Sequence, residues 1–134
     1  MTLRNSAKIA TFVCATFLAH QLSYGRAGAK SRIYSNVEYI EEAGDLLGYE
    51  LEVKVNGWRV TGFLRIYEGG CGSPAPVAGT LSGGKISLRG EDKFYGEVEI
   101  SGRMSNDLVK ATLRMEKAAE PETIKLRLIP KPHC

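Results

Sequence analysis

Apolar and polar residues alternate with a period of two along most of the chain after Tyr34. The segment Tyr49–Val55 places apolar residues at every second position and charged residues between them. Successive side chains of a β-strand point to opposite faces, so this alternation predicts a half-buried strand. The same pattern resumes in Trp58–Glu68, after an Asn56-Gly57 dipeptide that favours a type I′ hairpin turn.

Shorter segments repeat the alternation between tight turns, one of them at Gly83-Gly84. These further predicted strands are Asn36–Ile40, Val77–Ser82, Lys85–Arg89, Tyr95–Ser101, Leu108–Glu116 and Thr123–Ile129. A helical apolar pattern is absent from this part of the sequence, and Ala43–Leu47 could form a single helical turn at most. About eight short strands with one apolar face predict an all-β fold, an antiparallel meander that closes as an up-and-down barrel, lipocalin-like or partly open, or packs as a sandwich.

The N-terminal segment has a different character. Met1–Lys8 is basic, Ile9–Ala19 is uncharged and mostly apolar, and Ala27-Gly28-Ala29 supplies small residues. This order is typical of a cleavable secretory signal peptide, and the apolar run is shorter than the roughly 20 residues of a membrane span. We expect cleavage after Ala29, or alternatively after Gly25, leaving a single domain over residues 30–134. An N-terminal anchor or a buried helix is the alternative interpretation.

Removal of this leader changes the charge of the protein. The full chain has 18 Lys and Arg against 15 Asp and Glu, and the leader contains Arg4, Lys8 and Arg26 but no acidic residue. The remaining domain therefore carries equal numbers of basic and acidic residues. A nucleic-acid-binding domain normally has a net positive charge, so composition argues against a nucleic-acid partner.

Cysteine usage indicates one disulfide. Cys14 belongs to the apolar part of the leader, which leaves Cys71 and Cys134 in the predicted domain. An exported chain matures in an oxidising compartment, where an even number of cysteines favours a bond. Closing a loop of this length stabilises a protein by roughly 4 kcal/mol in the chain-entropy model. The alternative is a pair of free thiols, or a reactive Cys134 beside His133.

The residues do not predict catalysis or metal binding. His133 is the only histidine of residues 30–134 and lies next to the C-terminus, where a catalytic base is rarely held rigidly. Three Cys and His residues, two of them expected to be bonded to each other, are too few for a zinc site. The paired carboxylates Glu50/Glu52 and Glu97/Glu99 are expected on the outer faces of their strands. We therefore expect a protein that is not an enzyme and that uses no cofactor.

Aromatic residues offer a possible interaction surface. Phe63 and Tyr67 fall on the polar-facing side of their predicted strand, and Phe94 and Tyr95 lie near strand ends. Exposed aromatic side chains in a cluster are typical of a protein or glycan contact. A second small core or a covered barrel end would bury them instead.

The stretch from Glu41-Glu42-Ala43-Gly44-Asp45 to Glu68-Gly69-Gly70-Cys71 resembles uncharacterised small secreted bacterial β-proteins. The resemblance implies an exported β-fold and no functional residue. In size, compartment and single disulfide the chain is also similar to periplasmic lysozyme inhibitors.

These observations predict a secreted or periplasmic, non-enzymatic binding module that acts on another protein or on a cell-envelope component. A lipocalin-like carrier of a small apolar ligand and a periplasmic enzyme inhibitor are the alternatives. No membrane span is expected in the mature domain.

Overall fold

A computed structural model describes residues 30–134, and the predicted leader lies outside the described residues. This part of the chain is all β, as the alternation predicts. Its strands are β1 (Arg32–Ser35), β2 (Glu38–Ile40), β3 (Asp45–Asn56), β4 (Arg59–Gly69), β5 (Ala75–Ser82), β6 (Lys85–Asp92), β7 (Gly96–Met104), β8 (Leu108–Met115) and β9 (Glu122–Ile129).

The strands form a closed eight-stranded barrel with one additional strand. From β3 to β9 each strand pairs antiparallel with the next. The short β1 pairs with both β9 and β3 and thereby closes the ring, while β2 pairs with the beginning of β3. The predicted up-and-down barrel is therefore confirmed, and the alternative of two packed sheets is not found in residues 30–134. Closure leaves no free edge between the barrel strands.

The N-terminal strands differ from the prediction. The expected strand Asn36–Ile40 is present only as the shorter β2, and the strand that closes the barrel, β1, lies before it. Asn36 lies between the two strands, where its backbone N–H donates to the Tyr49 carbonyl at 3.1 Å and its side-chain Oδ1 accepts from the Tyr49 N–H at 2.7 Å. The segment Ala43–Leu47, for which the sequence allows a single helical turn at most, divides between the turn that follows β2 and the beginning of β3. Asp45–Leu47 begins β3, since its backbone pairs with β2 on one side and Leu46–Leu47 with the end of β4 on the other.

The two predicted tight turns have different geometries. Asn56 pairs with Arg59, so Gly57 and Trp58 are the central residues of the β3–β4 hairpin. Only Gly57 has a positive φ, 64°, which corresponds to a type II′ turn and corrects the expected type I′. Trp58 therefore lies in the turn and is 58 % exposed, with the Arg59 guanidinium 5.0 Å from its ring centroid.

The barrel interior is filled by side chains. Inward-facing residues of all eight barrel strands form one buried cluster, which includes Tyr34, Leu51, Val53, Val60, Leu64, Val77, Ile86, Leu88, Val98, Ile100, Met104, Val109, Ala111, Leu113, Ile124 and Leu126. The Tyr34 ring is fully buried and its hydroxyl donates to the Ser105 carbonyl at 2.9 Å, so it closes one end of the core.

Two inward glycines allow this tight closure. A Cβ atom at Gly62 would lie 1.8 Å from the Glu52 carbonyl oxygen, and one at Gly79 would lie 1.8 Å from the Ser87 carbonyl oxygen. Any larger residue at these positions would displace the neighbouring strand. Glycine at such sites lets strands bend sharply around a small barrel.

The two ends of the barrel carry different connections. We call the end with the β3–β4, β5–β6 and β7–β8 turns the upper end, and the opposite end, with the Asp92–Gly96 turn, the lower end. Within residues 30–134 no helix is long and apolar enough to cross a membrane.

Candidate functional site

The last five residues form a strap over the outside of the barrel. After β9 ends at the upper end, residues 130–134 turn back across the outer faces of β1, β3 and β4. Cys134 is paired with Cys71, which follows β4 at the lower end, with their Cα atoms 6.0 Å apart. The predicted pairing of these two cysteines is thus present. We call residues 130–134 the C-terminal strap.

An ionisable cluster lies beneath the strap. The Glu50 side chain is fully buried, although it points to the outer face of β3. Its carboxylate lies 2.7 Å from Nδ1 of His133, and it accepts hydrogen bonds from the His133 backbone N–H at 3.3 Å and the Tyr67 hydroxyl at 3.2 Å. The Arg65 guanidinium lies 3.8 Å away. Four separate contacts therefore converge on one carboxylate.

This cluster corrects two expectations from the sequence. Glu50 was expected at the surface with Glu52, yet the strap covers Glu50 and leaves Glu52 partly exposed. His133 was expected to be loosely held, yet Glu50 and the adjacent disulfide fix its position. Both corrections have the same cause, since a C-terminal segment packs on a face that alternation assigns to solvent.

The arrangement of Ser35, His133 and Glu50 does not form a catalytic triad. A serine nucleophile needs one imidazole nitrogen as its base, while the acid orients the other nitrogen. Here the Ser35 hydroxyl at 3.5 Å and the Glu50 carboxylate at 2.7 Å both face Nδ1 of His133. Ser35 Oγ also accepts the backbone N–H of Val37 at 3.1 Å. The geometry fixes the strap in place and does not activate a nucleophile.

The four aromatic residues of the predicted interaction surface do not lie together. Tyr67 is 1 % exposed beneath the strap, so for this residue the alternative of a covered ring holds. Phe63 is 41 % exposed and borders a groove with Pro76 on the outer face of β4 and β5. Phe94 is 70 % exposed and lies at the lower end with Tyr95, beside the Cys71 loop.

Tyrosine–carboxylate pairs close the lower end of the barrel. The Tyr49 hydroxyl donates to Glu122, and the Tyr95 hydroxyl donates to Glu68. Burial raises the pKa of Tyr49, and the bonded Glu122 carboxylate raises it further. Hydrogen bonding to Glu68 is the main cause of the raised pKa of Tyr95. For Tyr67, burial raises the pKa most, followed by the nearby charge of Glu50.

These tyrosines predict a loss of stability in alkaline solution. Tyr49 and Tyr67 retain their protons in the folded protein at pH values where the unfolded chain, with a pKa of 10.0, has lost them. The unfolded state then binds fewer protons, so the free energy of unfolding falls as pH rises above about 10 and is unaffected by these groups well below it.

Urea unfolding between pH 8 and pH 11.5 measures this effect. The double variant Tyr49→Phe, Tyr67→Phe should show a shallower decline above pH 10 than the natural protein. Tyr39→Phe, at a position 61 % exposed, is the matched control and should reproduce the natural profile. If the free energy of unfolding declined in parallel with pH for all three proteins, Tyr49 and Tyr67 would not be the cause of the alkaline loss of stability.

Charge is distributed unevenly between the two ends. The lower end and the strands leading to it carry most of the acidic residues, namely Glu38, Glu41, Glu42, Asp45, Glu68, Glu91, Asp92, Glu97, Glu116, Glu120 and Glu122. Basic residues dominate the upper half, where Lys30, Arg32, Lys54, Arg59, Lys85, Arg103, Lys110, Lys125 and Arg127 lie. A domain of zero net charge therefore has one acidic and one basic end.

The basic residues include a continuous row across four strands. Lys85 of β6 is directly opposite Arg103 of β7, which is opposite Lys110 of β8, which is opposite Lys125 of β9. All four residues are exposed on the outer face. None has a carboxylate of residues 30–134 within ion-pair distance. We call these residues the basic row.

A row of hydroxyl groups runs beside the basic row. The register places Thr80, Ser87, Ser101, Thr112 and Thr123 opposite one another on β5 to β9, two positions nearer the lower end. All are exposed except Thr112, which is half-buried. We call them the hydroxyl row. Neither row is visible in the sequence pattern, because both depend on the register between neighbouring strands.

Other chemistry is not apparent in the described part of the chain. Residues 30–134 contain no group of three His, Cys, Asp or Glu side chains placed to hold a metal ion. A depression of about 600 Å³ lies at the upper rim around Ile33, Val55 and Leu128, outside the filled core. It borders Lys30, the first described residue.

No model of a known protein family matches this chain, and comparisons with curated proteins and with solved structures also find no match. The molecule is thus defined by its own structure as a closed, filled β-barrel with a disulfide-anchored strap and a charged outer surface.

Proposed function

We propose that this protein is an exported, non-enzymatic binding module that acts through the outer surface of its barrel. One observation carries the proposal: the interior is filled and the buried ionisable cluster is covered, while the outer face presents an uncompensated basic row. Function in such a molecule is expected where side chains are accessible and unpartnered.

Two further features support the proposal. The Cys71–Cys134 disulfide is compatible with an oxidising compartment outside the cytosol. The inward side chains pack into one buried cluster, which leaves little room for the ligand of a lipocalin-like carrier. A carrier of that kind would need an apolar cavity of roughly 300 Å³ or more around its ligand.

Binding to isolated cell envelopes of the producing organism tests the proposal. The protein is purified from the exported fraction, its intact mass is measured with and without reduction, and its sedimentation with washed envelopes is titrated. We expect a mass matching residues 30–134, thiols that react only after reduction, and saturable sedimentation without release of soluble envelope fragments.

Three results of these measurements would contradict the proposal. Protein-dependent release of envelope fragments would indicate an enzyme, and a co-purifying apolar molecule in native mass spectrometry would indicate a carrier. A full-length mass with freely reactive thiols would contradict export.

A further inference from the structure

We propose that the basic row binds a linear anionic polysaccharide that lies across strands β6 to β9. This inference rests on the proposed binding function and names the class of ligand. It begins from an arrangement that the barrel itself does not require, four like charges at directly opposed positions of neighbouring strands.

The basic row is unfavourable for the isolated protein. Like charges directly opposite each other on adjacent strands are destabilising. Asp107 lies in the turn between Arg103 and Lys110, and its carboxylate accepts a hydrogen bond from the Ser105 hydroxyl at 3.0 Å. Elsewhere on β6 and β7 a basic residue is compensated, since Arg89 lies 3.9 Å from Glu99. An anionic ligand would supply the compensation that the basic row lacks.

The dimensions of the basic row fit a polymer better than a single anion. Neighbouring strands lie about 4.8 Å apart, so the four positions extend over about 14 Å. A single phosphate or carboxylate contacts only one or two of these residues. A chain of several charged units can contact all four at once.

The hydroxyl row points to a saccharide. Serine and threonine hydroxyls can both donate and accept hydrogen bonds, as sugar hydroxyls can. The hydroxyl row lies immediately beside the basic row over the same strands. A polymer with charged groups along one side and hydroxyl groups along the other therefore matches both rows.

The acidic end fixes the direction of the ligand. Glu91 of β6 is opposite Glu97 of β7, and the Glu116 carboxylate accepts the Glu97 backbone N–H at 3.0 Å. These carboxylates lie about 20 Å from the basic row along the strands. They repel a polyanion running along the strands, so the polymer must cross the strands along the basic row.

Nucleic acid and membrane fit this surface less well. Single-stranded nucleic acid is held by aromatic side chains on which bases stack, and membrane-binding faces insert large apolar residues. Among the large apolar side chains exposed on residues 30–134, only Leu128 belongs to β6–β9, at the upper rim. The surface around the two rows offers charge and hydroxyl groups.

Binding of dextran sulfate and neutral dextran tests the inference. The two polymers share a sugar backbone and differ in charge. The natural protein should bind dextran sulfate at low salt, with affinity that falls steeply as salt increases, and should not bind neutral dextran. The basic-row variant carries four substitutions, Lys85→Gln, Arg103→Gln, Lys110→Gln and Lys125→Gln. It should bind dextran sulfate at least about tenfold more weakly than the natural protein, and its affinity should depend less on salt.

A matched variant controls for net charge. This control variant removes the same charge from exposed positions outside the basic row, by the substitutions Arg32→Gln, Lys54→Gln, Lys93→Gln and Lys117→Gln. It should retain most of the affinity for dextran sulfate. Circular dichroism and urea unfolding of both variants establish that each is folded before binding is compared.

Four results of the binding experiments would overturn the inference. They are equal losses in the two variants, binding of neutral dextran, tighter binding of single-stranded DNA of equal charge, and tighter binding of phosphatidylglycerol vesicles. If the basic-row variant still sediments with envelopes as the natural protein does, the polysaccharide site is wrong and the binding module remains. If neither protein sediments, the proposed function itself fails.

Discussion

Replacing Cys71 and Cys134 together by serine is expected to lower the free energy of unfolding by about 4 kcal/mol in the chain-entropy model. The disulfide closes a sequence separation of 63 residues, which includes five of the eight barrel strands. Without it the unfolded chain gains conformational freedom, and the strap loses its fixed end. A loss of this size is a large fraction of the 5–15 kcal/mol typical of a folded domain.

Urea unfolding measured by circular dichroism tests this expectation. A second variant, Cys71→Ser in a chain ending at Ile129, removes both the disulfide and the strap. The comparison separates two effects, since the double serine variant should be the more stable of the two if the strap remains docked on Glu50. Stability within about 1 kcal/mol of the natural protein for the double serine variant would contradict the prediction, because the expected loss is several times larger.

The second large effect is expected at Glu50. Glu50→Gln should destabilise the protein by about 3 kcal/mol, because breaking a buried ionic contact leaves its partners uncompensated. The Tyr67 hydroxyl and the His133 backbone N–H both donate to this carboxylate, and an amide offers one oxygen where the carboxylate offers two. Arg65 Nη1, which is buried without a hydrogen-bond partner in the described chain, would also lose its nearby charge.

Glu52→Gln is the matched control. Glu52 is two positions away on the same face of β3 and forms an ion pair with the same Arg65 at 3.0 Å, but its side chain is 25 % exposed. Solvent-exposed ion pairs contribute little, so this change should cost less than about 1 kcal/mol. Equal losses in the two variants would mean that the strap does not depend on Glu50.

A kinetic measurement distinguishes strap release from general destabilisation. In Glu50→Gln the Cys71–Cys134 bond should be reduced by dithiothreitol faster than in the natural protein under conditions where both remain folded. Glu52→Gln should be reduced at the natural rate. An unchanged rate in Glu50→Gln would indicate that the disulfide alone holds the strap.

Strand positions were largely predictable from the sequence. Period-two alternation in Tyr95–Ser101 and Leu108–Glu116 identified β7 and β8, because side chains of a strand alternate between core and solvent. The Gly83-Gly84 turn has φ values of 55° and 79°, which only glycine adopts without strain. The pairing of Cys71 with Cys134 was predicted from the oxidising compartment expected for an exported protein. These inferences use local patterns or residue types.

The candidate site depended on contacts between residues far apart in sequence. Alternation assigned Glu50 to the solvent face of β3, and only the strap, 83 positions further along the chain, buries it. The basic row was hidden for a similar reason. Each of its residues looks like an ordinary polar position in its own strand, and the net charge of the domain is zero.

The sequence by itself determined the strand-rich character of this protein, the face that most residues present and the cysteine pair. The tertiary structure decided closure of the barrel through β1, burial of Glu50, and alignment of Lys85, Arg103, Lys110 and Lys125. The physical reason is that the two kinds of information depend on residues at different separations along the chain. A period of two is set by the geometry of a single strand, whereas neighbours across strands are set by register and by chain closure.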